Sequence, residues 1–412
     1  MSKKKILIIS DHALSPTGVG VQTKYLVEGL LKIGEYEILQ LGAAIKHQNY
    51  NTVKVCEDFY IKPIDGFGNS NLLRSVLINE QPDALIIFSD PRFFEWLFKM
   101  EEEIHQFCPI LWWHVWDNLP TPDFNEWMYD SIDKINCISY LTYTIVNKYK
   151  PLKSSFIPHT FPKDIFKEIK KDIIKKEKIR ILGKKRKDNL VYLWMNRNCK
   201  RKRPADLLLS WSIFTKKLNE LKNNVTLLIH SNPNDNAGCN LIEIAKKLNI
   251  LDTISFSTET LSDESINLLH NISDVCVNIS FNEGFGLTTL QSMQVGNPII
   301  AVKTGGLYRQ VINFKDKTEN GIAVDIDCKT LSGNQDCHYI FEDYASCDNI
   351  ANAFLKYYNF SKIEKEILSK KSKKYVQDEF NYNDMISAWH KSISEAIEEF
   401  KQKKSSVEII KL

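Results

Sequence analysis

Two stretches of this chain carry side chains whose types and order could hold an anion and polarise the bond to it. One is Asn196-Arg197-Asn198-Cys199-Lys200-Arg201-Lys202-Arg203-Pro204, directly after the apolar run Leu190–Met195. The chain uses 46 Lys but only 8 Arg, and three of those Arg fall within residues 197–203. A guanidinium is a flat, permanently charged fork that can meet two phosphate oxygens at once. Arginines clustered in a lysine-using chain therefore point to phosphate binding, the plain alternative being a solvated basic loop. The other stretch is Asn282-Glu283-Gly284-Phe285-Gly286-Leu287-Thr288-Thr289-Leu290-Gln291, which runs through glycines into a helix closed by Gly296-Asn297-Pro298. Gly284 and Gly286 free the backbone at a helix start, where N–H groups favour an anion. A carboxylate there would repel phosphate, so Glu283 reads as an acceptor for hydroxyls. Gln291, if the run is helical, lies about 12 Å further along the axis. Together they would place a hydrogen-bonding group on either side of a diphosphate.

Two weaker signals share this logic. Ser15-Pro-Thr-Gly18-Val-Gly20 sits between the run Ile6–Ser10 and a segment in which Leu26, Leu30 and Ile33 recur at helical spacing until Gly34. It fits a phosphate-binding turn only in part, because Thr23 stands where the last glycine of that pattern would be; a tight turn with no ligand fits as well. Thr304-Gly305-Gly306-Leu307 follows the run Pro298–Val302 and offers bare backbone at a strand's C-terminal end, where open α/β sheets bind ligands.

The elements that must position these residues follow from an alternation of short apolar runs with longer segments of helical period, the pattern of parallel strands joined by crossover helices. Ile6–Ser10, Glu37–Leu41, Ala84–Phe88, Ile110–Val115, Ile135–Ser139 and Ser155–Ile157 read as strands of one sheet. Leu190–Met195, Val225–His230, Ile254–Phe256, Val275–Ile279 and Pro298–Val302 read as a second. Between the sheets, residues 163–187 hold twelve Lys or Arg against four Asp or Glu, which reads as a solvated face or a docking surface for an acidic partner. A length of 412 residues suits two such domains. With 54 basic and 51 acidic side chains the net charge is only +3, so the protein as a whole is not a polycation built to coat nucleic acid. Nine Cys stand singly, with no metal-type spacing, as expected in a reducing compartment. The four apolar residues Ile6–Ile9 after the basic start are too few for a signal peptide, and no run approaches a bilayer span. A cytoplasmic location is expected, with peripheral membrane contact through Lys401–Lys404 and Val407–Leu412 as a further possibility.

At these residues the chain resembles the large retaining glycosyltransferase family four, of GT-B fold, over nearly its whole length. Glu283 to Gln291 resembles that family's acid, seven residues, acid element; Arg197 with Lys202 resembles its basic pair, and Thr304–Leu307 its TGG loop. The resemblance implies two Rossmann-like parallel-sheet domains facing a cleft. It divides the chain into an acceptor-side domain over 1–160, a basic junction over 161–188, a donor domain over 189–380 and a C-terminal helix over 381–412 crossing back to the first domain. It implies that Glu283 binds donor sugar hydroxyls and that Arg197 and Lys202 bind the diphosphate. Gly284, Phe285, Gly286 and Leu287 would meet the phosphates through their backbone, with Gln291, Thr304 and Gly305 completing the donor site. Gly18 and Gly20 would approach the donor from the first domain, His114 would lie near the transferred sugar, and Trp116 and Asp117 would border the acceptor.

Two departures stand out. Where the family has a second acid for the donor ribose, this chain has Gln291, an amide without charge. Where it usually has Pro-His-Gly, this chain has Pro158-His159-Thr160. Cleaving a sugar–phosphate bond places negative charge on the departing diphosphate, which fixed cations can meet, so no metal or other cofactor is expected. Asp325-Ile-Asp327 has the spacing of a metal-binding DxD but falls late in the second domain, and reads as incidental. The expectation is a metal-independent transfer, with retention, from a nucleotide-sugar donor to a saccharide, lipid-linked or small-molecule acceptor. A nucleic-acid acceptor and a non-catalytic nucleotide-sugar binder are the alternatives.

Overall fold

The computed structural model describes residues 3–408, which divide into two compact units. Unit 1 takes the chain up to Thr160, then Gly333–Tyr339, and then the chain from Tyr382 on; unit 2 takes Phe161–Ser332 and Ile340–Asn381.

Unit 1 is built on eight strands: β1 (Lys4–Asp11), β2 (Tyr36–Ala43), β3 (Val53–Cys56), β4 (Phe59–Pro63), β5 (Ala84–Phe88), β6 (Ile110–His114), β7 (Lys134–Cys137) and β8 (Ser154–Phe156). Their order is β3-β4-β2-β1-β5-β6-β7-β8. All neighbours are parallel except the edge pair β3 and β4. Ile6, Leu7, Ile8 and Ile9 are all buried, as a central parallel strand covered on both faces requires. The first helix, Gly18–Ile33, starts where the Thr17 side chain accepts from Gly20 N and stops at Gly34, whose φ of 83° suits glycine. β3 and β4 are absent from the sequence expectation. All four residues of β3 are exposed, so no apolar run marks it.

The closing helix, Tyr382–Glu408, belongs to unit 1 and extends past the basic stretch 401–404. The Tyr382 hydroxyl donates to Tyr25 O at 2.7 Å, Asn136 Nδ2 donates to Ser392 Oγ at 3.0 Å, and the Trp389 ring meets Trp113 edge-on at 5.4 Å. Residues 409–412, part of the terminus considered for membrane contact, lie outside the described residues, as do the side chains of 405–408. No described helix is long and apolar enough to cross a membrane.

Unit 2 holds β9 (Leu190–Met195), β10 (Val225–His230), β11 (Ile254–Ser257), β12 (Val275–Asn278), β13 (Ile299–Val302) and β14 (Ile322–Val324), all parallel, in the order β11-β10-β9-β12-β13-β14. The basic stretch after Thr160 is part of this unit. Its helix, Lys171–Leu182, turns Ile174, Ile181 and Leu182 onto Leu193 and Leu269 while most of its lysines face water. An antiparallel hairpin, β15 (Cys328–Ser332) with β16 (Ile340–Tyr344), follows β14 and is a second feature without a sequence signal.

Trp389 is fully buried, and truncating a buried Trp costs about 3–5 kcal/mol. Trp389→Ala should therefore lower the thermal midpoint of unit 1 by several degrees, read by near-ultraviolet circular dichroism. An unchanged midpoint would show that the closing helix does not stabilise its unit.

Candidate functional site

In unit 2, β9 lies between β10 and β12, so the connections leaving β9 and β12 go to opposite faces of the sheet. The crevice beyond such a pair of strand ends is where an open α/β sheet holds a ligand. The two stretches that stand out in the sequence are these two connections.

The first, after β9, tightens into a short 3-10 turn over Lys200–Lys202 and reverses at Arg203, whose φ is 55°, before Pro204 opens the next helix. The second, after β12, is tied to it by Phe281 N donating to Arg201 O at 3.0 Å. Lys202 Nζ donates to Glu283 Oε2, and Arg201 Nη1 lies 3.6 Å from Glu283 Oε1 while donating to Asn282 O at 2.9 Å. Ser280 Oγ and Asn278 Nδ2 are 3.3 and 3.4 Å from Glu283 Oε2. Burial pushes the Glu283 carboxyl up, but the charges of Lys202 and Arg201 outweigh it and hold the group at about 2. One carboxylate against two cations leaves the cluster net positive, which suits an anionic ligand whose other end carries hydroxyls.

The third loop locks onto the second. Gly306 N donates to Glu283 O at 2.7 Å, and a Cβ on Gly306 would come within 2.4 Å of Gly284 O. Gly286, at φ 94°, turns the chain into the helix Leu287–Gln294. Thr289 Oγ1 lies 2.6 Å from Gln310 Oε1, and Gln310 Nε2 donates to Phe285 O at 2.7 Å. Phe285 is buried against Phe380, while Leu287 and Gly305 stay partly accessible. The Thr304 hydroxyl is within reach of Phe281 O at 3.1 Å and Asp343 Oδ2 at 2.7 Å, so it braces the loop.

Gln291 lies on the same helix, 8% exposed, with Oε1 3.2 Å from Nε2 of the buried His270. Burial lowers the His270 imidazole to about 4, so it is neutral near pH 7.

The structure separates other residues that the sequence grouped together. Arg197 points to Asp235 in a two-pronged pair of 2.9 and 3.3 Å, its side chain 68% exposed, and is not among the groups that touch Glu283. Arg201 takes that place beside Lys202. Arg203 is structural: it reaches Asp206 Oδ2 at 2.8 Å and Ala345 O at 2.9 Å, with its guanidinium 5.2 Å from both the Phe281 and Tyr344 ring centres. The arginine cluster thus divides between an exposed fork, a site cation and an internal brace. Asn278, Ser280, Gln310 and Asp343 went unread, because isolated polar residues carry no spacing signal.

Unit 1 corrects several expectations. Gly18 is exposed at the helix start, but Gly20 is a packing glycine: a Cβ there would sit 2.5 Å from Ser15 Oγ and 2.6 Å from His12 O. His114 is fully buried between Trp112, with ring centres 3.9 Å apart, and Tyr129, whose hydroxyl is 3.1 Å from Nε2. Burial lowers its imidazole to about 3, and its side chain is packed as a core residue. His159 is likewise packed, 4.5 Å from Trp113. Trp116 is 5% exposed against Phe124, whereas Asp117 is half-buried. In unit 2, Asp325 pairs with Lys303 at 2.6 Å and Asp327 accepts from Ser346 N at 2.6 Å, so each has a structural partner. Among the described residues no three His, Cys, Asp or Glu are grouped to hold a metal ion.

Residues 175–351 match the family described as glycosyl transferases group 1. A curated relative, D-inositol 3-phosphate glycosyltransferase of Salinispora arenicola, is 33% identical over 85 residues, which is 21% of this chain and 18% of the relative; the chain therefore matches less than a fifth of that protein's length. Among solved structures, the chain is similar to sucrose-phosphate synthase from Thermosynechococcus elongatus, with a TM-score of 0.72 at 15% identity over 94% of this chain and 98% of that one. It is also similar to Anabaena HepE in complex with UDP and glucose, with a TM-score of 0.69 at 14% identity over 95% and 100%. At these identities the likeness is one of fold, and the fold is GT-B.

Removing one partner of a buried ion pair leaves the other uncompensated, at a cost of about 3–5 kcal/mol. Glu283→Gln and Lys202→Met should each destabilise unit 2 by about that much in urea unfolding, and the double variant by clearly less than their sum. Additive losses would show that the two side chains do not act as a pair. Because the Glu283 carboxyl lies lower in the folded than the unfolded chain, its stabilisation is full above about pH 4.5 and disappears as pH falls toward 2. The stability gap between the natural chain and Glu283→Gln should close over that interval.

Proposed function

We propose that this chain, whose residues 175–351 match the glycosyl transferases group 1, moves a sugar from a nucleotide-sugar donor to an acceptor hydroxyl, with retention and without a metal ion. The observation that carries this reading is the buried Glu283 carboxylate held by Lys202 and Arg201 at the ends of β9 and β12. In the proposed complex, Glu283 accepts hydrogen bonds from donor sugar hydroxyls. Lys202 and Arg201 face the diphosphate, with the backbone from Gly284 to Leu287 beside it, and Arg197 joins them only by leaving Asp235. As the anomeric carbon–oxygen bond breaks, negative charge grows on the leaving phosphate oxygen. Cations already fixed at that point lower the barrier without reorganising. The leaving oxygen then takes the proton of the acceptor hydroxyl, which attacks from the same face.

That the relative HepE is seen with UDP and glucose supports a nucleotide-sugar donor. The acceptor is a saccharide, lipid-linked or small-molecule alcohol, bound by unit 1 near Asp117. A nucleic-acid acceptor loses much of its motive, because Arg203 is used internally and Arg197 is paired.

Incubation with UDP-, GDP- and ADP-sugars and an acceptor panel should release nucleoside diphosphate in the presence of chelator. Glu283→Ala should reduce that release by about 100-fold or more, and the product should keep the donor's anomeric configuration by NMR. An inverted product would overturn retention, and loss of turnover in chelator would overturn metal independence. Tight donor binding without transfer to any acceptor would favour a nucleotide-sugar binder.

A further inference from the structure

The pairing of His270 with Gln291 has a definite direction. His270 has no exposure, and its Nδ1 has no hydrogen-bond partner among the described residues. A neutral imidazole carries one N–H and one bare nitrogen, so two arrangements are open. If Nε2 carries the proton, it donates to Gln291 Oε1 and the orphan at Nδ1 is a bare acceptor. If Nδ1 carries it, the orphan is a buried N–H, and the amide must also turn over to donate to Nε2. Orphaned buried N–H groups are rarer than under-satisfied acceptors, so the first arrangement is favoured. The structure places Oε1 at that nitrogen, 3.2 Å away, which leaves the Gln291 amide nitrogen turned away from His270. No partner for that nitrogen is found among the described residues, and it is not sealed from solvent.

We infer that His270 fixes Gln291 as a neutral N–H donor, and that this makes the nucleoside pocket tolerant of a missing ribose hydroxyl, so that 2′-deoxyribonucleoside diphosphate sugars are accepted alongside ribonucleoside ones. The inference rests on the reading of residue 291 as the residue facing the donor's ribose. A buried carboxylate there would accept from both ribose hydroxyls, and a 2′-deoxyribose, which keeps only the 3′-hydroxyl, would take one of those charge-assisted hydrogen bonds away. An amide whose oxygen is already satisfied by His270 loses at most one neutral hydrogen bond when the hydroxyl is absent. His270 touches no substrate group in this scheme; it is a positioning residue, acting through Gln291.

The test is calorimetric binding of matched pairs, UDP with dUDP, GDP with dGDP and ADP with dADP, to the full chain. For whichever base binds, the natural protein should hold the deoxy form within about tenfold of the ribo form. Gln291→Glu should widen that ratio by about tenfold, because a carboxylate loses a charge-assisted hydrogen bond where the amide loses a neutral one. His270→Phe keeps a ring of similar shape but frees the amide to turn its oxygen outward, and should widen the ratio in the same direction. A merely structural role for His270 would weaken both members of each pair equally. Circular dichroism of each variant checks that the fold is kept. A deoxy form bound more than about 100-fold more weakly by the natural chain would overturn the inference while leaving the donor site intact. If no nucleoside diphosphate binds at all, the donor reading and this inference fall together.

Discussion

A carboxylate and an ammonium can leave water only together, and the arrangement of unit 2 follows from where this chain buries such a pair. Glu283 and Lys202 are 8% and 9% exposed and come from connections that leave neighbouring strands in opposite directions. Their union joins what the topology would part. With Glu283 fixed, its carbonyl is placed to receive Gly306 N, and a third connection becomes part of the same body. The bare Cα of Gly306 is then a necessity, since a methyl would press into the carbonyl of Gly284. The backbone turn at Gly286 and the bracing by Gln310 are later links in that chain of dependence. A ligand that brought an anion to Lys202 and hydroxyls to Glu283 would leave neither charge without a partner.

The molecule handles polarity differently elsewhere. His114, His159 and His270 are all withdrawn from water and neutral near pH 7, and each is set among aromatic rings or a neutral amide rather than a carboxylate. Histidine here is mainly a packing ring with one hydrogen bond. Sheltered charge is held in pairs instead, Lys202 with Glu283 at the strand ends and Arg309 with Glu379 at 2.5 Å.

Much of this was legible in the chain itself. The central strands announce themselves as unbroken apolar runs, because parallel strands covered on both faces need them; Ala84–Phe88, Leu190–Met195 and Val225–His230 agree with the sequence boundaries residue for residue. Of the elements that escaped notice, β3, β15 and β16 are antiparallel and exposed or only partly buried, so nothing apolar marks their length, while β4 and β14 are buried in part but too short to stand out as apolar runs. The site was legible as two loops but not as a set of contacts. Arg197, Arg201 and Arg203 are the same residue type within one turn, and only the 3-10 turn and the left-handed Arg203 decide that the middle one reaches Glu283. Gly20 and Gly306 are read alike from sequence, as places where backbone comes close. What comes close is this protein's own Ser15 and Gly284.

Unit 1 is assembled from segments separated by some two hundred residues, and its sheet is completed by a helix that begins at Tyr382. During synthesis at the ribosome this imposes an order. The eight strands are made before the closing helix, so Trp113 lacks the ring of Trp389 and Asn136 lacks Ser392 until residues 389–392 have been made. Unit 2 is translated in the interval and can close around its buried pair before its predecessor is finished. The nascent first unit must therefore wait with an uncovered aromatic face, and for that interval the face is open to other chains.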